Sequence, residues 1–195
     1  MKNYIILLLF SLFFSCKTEK KESTSNIDNN ISIPVKTNEN LQKTNNTLKD
    51  KLKGKTYSNI KEIDELKNCY HPGGSVVGKL NGKTFTVSVF HVKEGIPSYI
   101  LFEESLSSEV NKFKILDVLD LTKEEILKDE SYSLNHHFCY KNGKSDEEIV
   151  AIAKEDEEEE FFTEIYKAWR ADCKKEKFIE IPVEGIKVEN MGYGI

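Results

Sequence analysis

Apolar and polar residues alternate along several segments after residue 75, which is the pattern of β-strands with one buried face. In segment 84–92, three apolar residues take every second position from Phe85 onward. Segment 76–80 precedes it, and Asn81-Gly82 separates the two. Because both residues of such a turn adopt positive φ, Asn-Gly between two strand patterns predicts a β-hairpin.

Further segments follow the same pattern. It predicts strands at 98–102 and 113–119, a second hairpin around Asn142-Gly143 between 134–140 and 148–153, and closing strands at 178–181 and 185–188.

The segment 156–172 has a different spacing. Its apolar residues recur at i, i+1, i+4, i+7 and i+8, which forms one stripe on a helix; they are Phe161, Phe162, Ile165, Ala168 and Trp169. Acidic residues precede the stripe and lysines follow it, as the helix dipole favours. We predict a helix here and a second, short one at 121–127. The expected fold class is α+β, an antiparallel sheet built from hairpins with at least one covering amphipathic helix.

The N-terminus has the layout of an export signal. Lys2 is the one charge in residues 1–16, and a mostly apolar run spans 4–14. A membrane-spanning helix needs about 20 apolar residues, and charges begin at Lys17, so we expect cleavage rather than a permanent anchor helix.

The residues Phe13-Phe14-Ser15-Cys16 resemble the lipobox of bacterial lipoproteins, with Phe13 where that pattern usually has Leu. The resemblance implies a signal peptide at 1–15 and a lipid on Cys16. More than one acyl chain gives stable anchoring, so the expected location is the bacterial cell envelope, periplasmic or surface-exposed.

Composition divides the rest of the chain. Residues 16–54, rich in Asn, Lys, Ser and Thr, are interpreted as the lipidated Cys and a flexible tether, and residues 55–195 as one acidic domain. Segment 17–54 has eight Lys and five acidic residues, a net charge of +3, whereas 55–195 has 19 basic and 28 acidic residues, a net charge of −9. A domain of that charge repels phosphate backbones, which argues against nucleic-acid binding.

Three cysteines follow Cys16, and an exported protein meets an oxidising compartment. Cys69-Tyr70-His71 and His137-Phe138-Cys139 are mirror-image triplets. If the two segments pair as antiparallel strands with Cys69 opposite Cys139, His71 lies opposite His137, and all four side chains share a face.

Several outcomes are open for these residues. One is a Cys69–Cys139 disulfide, and another is a metal site built from Cys69, His71, His137 and Cys139, with zinc as the natural tetrahedral ion. Pairing of Cys139 with Cys173, or free thiols, are the others. No cofactor is expected apart from that zinc alternative.

Six consecutive acids form a second candidate feature: Glu155, Asp156, Glu157, Glu158, Glu159 and Glu160. We interpret them mainly as the solvated start of the predicted helix. The alternative hypothesis is an acidic patch that binds Ca²⁺ or a basic protein. The spacing of a calcium-binding loop is absent from the sequence.

No catalytic motif is complete. Gly73-Gly74-Ser75 lacks the second Gly of a nucleophile elbow, and phosphate-loop, zinc-protease and dinucleotide motifs do not occur. Pairing of Ser75 with His91, or of Cys173 with a His, stays open, but we expect a non-enzymatic protein.

Three residues near the C-terminal end are candidate interface anchors, namely Trp169, Arg170 and Tyr193. Trp169 lies on the apolar stripe, so we expect it in the core.

Segment 149–170 resembles envelope lipoproteins of flavobacteria-like bacteria, and this resemblance implies no particular activity.

We therefore expect an envelope-anchored lipoprotein whose acidic domain binds or protects an envelope component. Its partners would be the membrane, through the lipid on Cys16, and a basic envelope protein. The alternatives are the metal-binding protein described above and an inhibitor or immunity protein for a basic hydrolase or toxin.

Overall fold

The computed structural model describes residues 47–107 and 111–194, so the predicted signal peptide and the lipid on Cys16 lie outside the described residues. The described chain is essentially all-β, and the prediction of an α+β fold with a covering helix is wrong. It contains one α-helix, α1 (Leu48–Leu52), and two 3₁₀ turns at Ile60–Glu62 and Glu125–Lys128. No helix within it has both the length and the apolar character needed to cross a bilayer.

Thirteen strands follow one another along the described chain. They are β1 (Thr56–Tyr57), β2 (Tyr70–Leu80), β3 (Lys83–Lys93), β4 (Ile96–Ser107), β5 (Lys112–Asp120), β6 (Tyr132–Asn135), β7 (Cys139–Lys141), β8 (Lys144–Ser145), β9 (Ile149–Lys154), β10 (Phe161–Phe162), β11 (Ile165–Asp172), β12 (Lys177–Ile181) and β13 (Ile186–Glu189).

The strands form three antiparallel sheets. The large sheet has the order β1-β5-β4-β3-β2, the middle sheet β12-β11-β9-β6, and the small sheet β10-β13-β7-β8. The first predicted hairpin is confirmed as β2–β3, with Asn81 and Gly82 at φ 52° and 79°.

The second predicted hairpin is only partly correct. Asn142 and Gly143 make the expected turn, with φ 52° and 78°. The turn joins β7 to the two-residue β8, however, and β9 pairs instead with β6 and β11. Turn chemistry is local, whereas the choice of strand partner depends on which faces must be covered.

Three hydrophobic clusters hold the layers together. The N-terminal cluster lies between segment 48–69 and the outer face of the large sheet, and includes Leu52 and Phe90. The central cluster fills the space between the large and middle sheets. The C-terminal cluster joins the middle and small sheets. The middle sheet is therefore buried on both faces.

This double burial explains why the apolar residues of β11, in the segment predicted as a helix, lack the alternation of a strand. In β11, Trp169 and Ala171 pack into the central cluster, whereas Ile165 and Ala168 pack into the C-terminal cluster. A strand covered on both faces has apolar residues in both sets of alternate positions, so its period of two disappears. The acidic run is correspondingly an exposed loop between β9 and β10 and not a helix start.

The packed domain begins earlier than residue 55. Leu52 is fully buried, and the Lys49 ammonium lies 2.7 Å from the buried Asp117 carboxylate in β5. Thr47 caps α1 by exchanging hydrogen bonds with Asp50. Residues from 47 onward, which the sequence assigned to the tether, therefore cover the large sheet.

Candidate functional site

The strand pairing that would join the two Cys/His triplets is absent from the structure. β2 pairs with β3, and β7 pairs with β8 and β13. The register that placed Cys69 opposite Cys139 therefore does not exist, because β2 and β7 belong to different sheets.

Each of the three described cysteines belongs to a different cluster. Cys69 contacts the N-terminal cluster, Cys173 lies in the central one and Cys139 in the C-terminal one, and all three are free thiols. Burial raises the pKa of Cys139 and of Cys173 to about 12. These thiols pack as small apolar side chains.

The two histidines of the triplets are also apart. His71 stacks on Phe90 with ring centroids 4.6 Å apart, whereas the His137 ring lies 4.2 Å from that of His136. Among the described residues, no group of three or more His, Cys, Asp or Glu side chains is arranged to hold a metal ion.

The acidic run borders a surface cleft of about 700 Å³, which we call the acidic cleft. It lies between the β6–β7 connection, the β9–β10 loop and the segment after β13. Its lining residues are Leu134, Asn135, His136, His137, Phe138, Glu155, Glu157, Phe162, Glu189, Asn190, Met191, Gly192 and Gly194.

Asn190 fixes the shape of the acidic loop. Its side-chain amide donates to the carbonyl oxygens of Asp156, at 3.2 Å, and Glu159, at 2.9 Å. Its backbone N–H donates to the Glu160 carbonyl at 2.9 Å, and at the other end of the loop the Glu155 N–H donates to Ser131. The loop is thus held at both ends, with its carboxylates exposed.

These carboxylates have no cationic partner in the described part of the chain. None of residues 155–160 takes part in an ion pair there, and all six are exposed. Burial and the neighbouring His137 lower the pKa of His136 to about 4, so the His136 ring brings no positive charge to the cleft at neutral pH.

Large apolar side chains lie exposed beside these charges. Phe138 is 48% exposed and Met191 58% exposed. Phe138 also has φ 54°, a left-handed conformation that bulky residues rarely adopt, and its carbonyl accepts a hydrogen bond from the Glu189 N–H at 3.0 Å. Such strain often occurs at functional sites.

Ser75 contacts His136 and not His91. The Ser75 hydroxyl donates to the His136 carbonyl and lies 3.2 Å from its Nδ1. In the described residues no carboxylate hydrogen-bonds the His136 ring, so the third member of a nucleophilic triad is missing. The contact ties β2 to the β6–β7 connection.

The structure places the three candidate anchors differently. Trp169 is in the core, as expected, although on a strand. Arg170 is half-buried and bonds Asp146 and Glu148, so it braces the domain rather than facing a partner. Tyr193 is 51% exposed beside the acidic cleft.

A second cleft, of about 450 Å³, was not predicted from the sequence. We call it the Glu103 cleft after the carboxyl beneath it. It lies on the outer face of the large sheet, and its lining residues are Tyr57, Ser58, Asn59, Ile60, His71, Gly74, Ser75, Val76, Thr86, Val87, Ser88 and Phe113.

Glu103 is fully buried under this cleft. The Tyr57 hydroxyl donates to its Oε1 at 2.5 Å and the Ser88 hydroxyl to its Oε2 at 2.7 Å. Burial raises the pKa of Glu103 to about 7, although both hydrogen bonds oppose the shift. Burial and the adjacent carboxylate raise the pKa of Tyr57 as well.

Gly74 lets β2 approach β3 at this point. A Cβ on Gly74 would lie 2.3 Å from the Val87 carbonyl oxygen and 3.0 Å from Ser88 Oγ. The sequence carried one signal for the site. Thr86 and Ser88 alternate with the buried Phe85 and Val87, so they lie on the opposite face of β3, which carries the cleft.

No family model matches the chain, and no curated protein or solved structure matches it either.

Proposed function

We propose that this chain is an envelope-anchored lipoprotein that binds a basic protein through its acidic cleft and catalyses no reaction. The observation that carries the proposal is the fixed acidic loop, whose carboxylates have no cationic partner in the described residues. A lipid on Cys16 would hold the domain at the membrane.

The arrangement suits a protein partner better than a lone metal ion. Glu155, Glu157 and Glu189 line the cleft together with the apolar Phe138 and Met191. Phe and Met are enriched in protein interfaces, and carboxylates around them favour Lys and Arg on the partner. A basic segment with one or two apolar side chains would satisfy both parts of the surface.

An inhibitor of a basic cell-wall hydrolase, or an immunity protein for a basic toxin, is the specific form of this function that we favour. Covering the substrate groove of a cationic enzyme requires an anionic surface with a fixed shape. The hydrogen bonds of Asn190 provide such a shape.

The test is binding to a basic hydrolase, with lysozyme as the first probe, by biolayer interferometry at about 20 and 500 mM salt. The variant Glu155→Gln/Glu157→Gln/Glu158→Gln removes three charges from the loop. Since an exposed ion pair contributes roughly 0.2–1 kcal/mol, we expect about tenfold weaker binding at low salt.

A matched control removes three exposed carboxylates elsewhere. Glu94→Gln/Glu147→Gln/Glu184→Gln changes the net charge equally but leaves the acidic cleft intact. Equal weakening by the two triple variants would show that only net charge matters, and absence of salt-sensitive binding across a panel of basic envelope hydrolases would refute the proposal.

A further inference from the structure

The Glu103 cleft shares no lining residue with the acidic cleft and offers a different chemistry. Its walls are mostly apolar, with Ile60, Val76 and Phe113 among them. Tyr57 and Phe113 lie side by side with ring centroids 5.7 Å apart. A cleft of this size, lined by apolar side chains with a few convergent polar atoms, is typical of small-molecule sites.

Two hydroxyl oxygens at the cleft, those of Tyr57 and Ser88, present acceptors to a ligand. A hydroxyl has one proton and two lone pairs, and Tyr57 and Ser88 both give their proton to Glu103. Toward the cleft these two oxygens therefore offer lone pairs only. A third oxygen, Thr86 Oγ1, is buried and has no hydrogen-bond partner among the described residues.

The electrostatic environment of the cleft favours a positively charged ligand. Glu103 forms no ion pair within the described chain, so its ionised carboxylate is not neutralised there. The two hydroxyl dipoles direct their positive ends to Glu103 and their negative ends to the cleft. A cation held against these oxygens is attracted by the carboxylate behind them, and an anion is repelled.

We infer that the Glu103 cleft binds a small organic amine. Its ammonium group donates hydrogen bonds to the Tyr57 and Ser88 oxygens, and its apolar body packs against Ile60, Val76 and Phe113. The absence of a side chain at Gly74 leaves space in the cleft above Ser88, since a Cβ there would contact the β3 backbone.

Three probes with the same phenylethyl body and different head groups test this inference. They are 2-phenylethylamine, 2-phenylethanol and 3-phenylpropanoate, which are cationic, neutral and anionic at pH 8. Because a ligand of about ten heavy atoms contributes modest binding energy, we expect a Kd on the order of 1 mM for the amine. The alcohol should bind about tenfold more weakly, and the carboxylate should show no binding.

The measurement is a ligand-observed NMR titration with the full chain in detergent. Glu103→Gln keeps the shape of the buried side chain and removes its charge, so amine affinity should fall about tenfold while alcohol affinity stays the same. Partition of the probes into detergent is identical for wild type and variant and does not enter this comparison.

A surface substitution provides the second variant, in case Glu103→Gln disturbs folding. Val76 lines the cleft and is 51% exposed, so Val76→Lys places a cation at the entrance and should abolish amine binding. Val92, 61% exposed on the same hairpin but outside the cleft, supplies the control Val92→Lys, which should bind the amine like the wild type.

Equal affinity for amine and alcohol, binding of the carboxylate, or amine binding that neither Glu103→Gln nor Val76→Lys reduces would each overturn the inference. So would the absence of binding by all three probes at about 5 mM. None of these results affects the proposal for the acidic cleft.

Discussion

Glu103→Gln should remove much of the pH dependence of folding stability between about pH 4.5 and 7. Burial raises the pKa of Glu103 from 4.5 to about 7. The folded protein therefore binds this proton more tightly than the unfolded chain does. The resulting stabilisation is complete below pH 4.5 and is lost as the pH rises through 7.

The size of the effect follows from the shift. A change from 4.5 to about 7 corresponds to roughly 3 kcal/mol, at about 1.4 kcal/mol per pKa unit. Gln does not ionise, and its oxygen still accepts a hydrogen bond from Tyr57 or Ser88. The free energy of unfolding of the variant, relative to wild type, should thus increase by about 3 kcal/mol between pH 4.5 and 7.5.

Urea unfolding at constant ionic strength and several pH values measures this difference. Trp169 is the only tryptophan in the chain and lies in the central cluster, so its fluorescence reports on the core. Glu94→Gln, at an exposed turn, is the control and should follow the wild type. If the free energy of unfolding changed with pH in the same way for wild type and Glu103→Gln, the raised pKa of Glu103 would be refuted.

Three further substitutions or treatments test the packing. Trp169→Ala should reduce the free energy of unfolding by about 3–5 kcal/mol, measured by circular dichroism in urea, because it leaves a large cavity between two sheets; a loss below 1 kcal/mol would contradict that position. Gly74→Ala should lower stability by about 1–3 kcal/mol in the same assay, since its Cβ meets the Val87 carbonyl, and a neutral effect would argue against the close approach of β2 and β3. Cys139 and Cys173, whose pKa burial raises to about 12, should resist iodoacetamide at pH 8 in the folded protein and react fully in urea without reductant; failure to react in urea, by mass spectrometry, would reveal a disulfide.

The predicted Cys/His site does not form, because residue spacing alone does not determine which strands pair. Cys69 and Cys139 have mirror-image neighbours, and a single register would have joined them. Strand registers are chosen by the burial of whole faces, however, and not by two residues. β2 turns at Asn81-Gly82 and pairs with β3, which places Cys69 and Cys139 in different clusters.

Residue spacing in the sequence could not predict the two clefts either, because their residues are far apart along the chain. Tyr57 and Glu103 are 46 positions apart, and Ser88 comes from a third strand. The acidic run was visible in the sequence, but its fixed shape depends on Asn190, more than 30 positions away. Such groups meet only after the sheets have formed.

By itself, the sequence determined the local features of this protein. Alternating residues and the Asn-Gly dipeptide specified the β2–β3 hairpin. The acidic run indicated an exposed, negatively charged segment, although we predicted a helix start where the structure has a loop. Only the tertiary structure decided that Ile165–Asp172 forms a strand, because the middle sheet is covered on both faces and its apolar residues then lose their period of two. It also decided that the Glu103 carboxyl is buried, since segment 57–60 closes over the face of the large sheet that carries it.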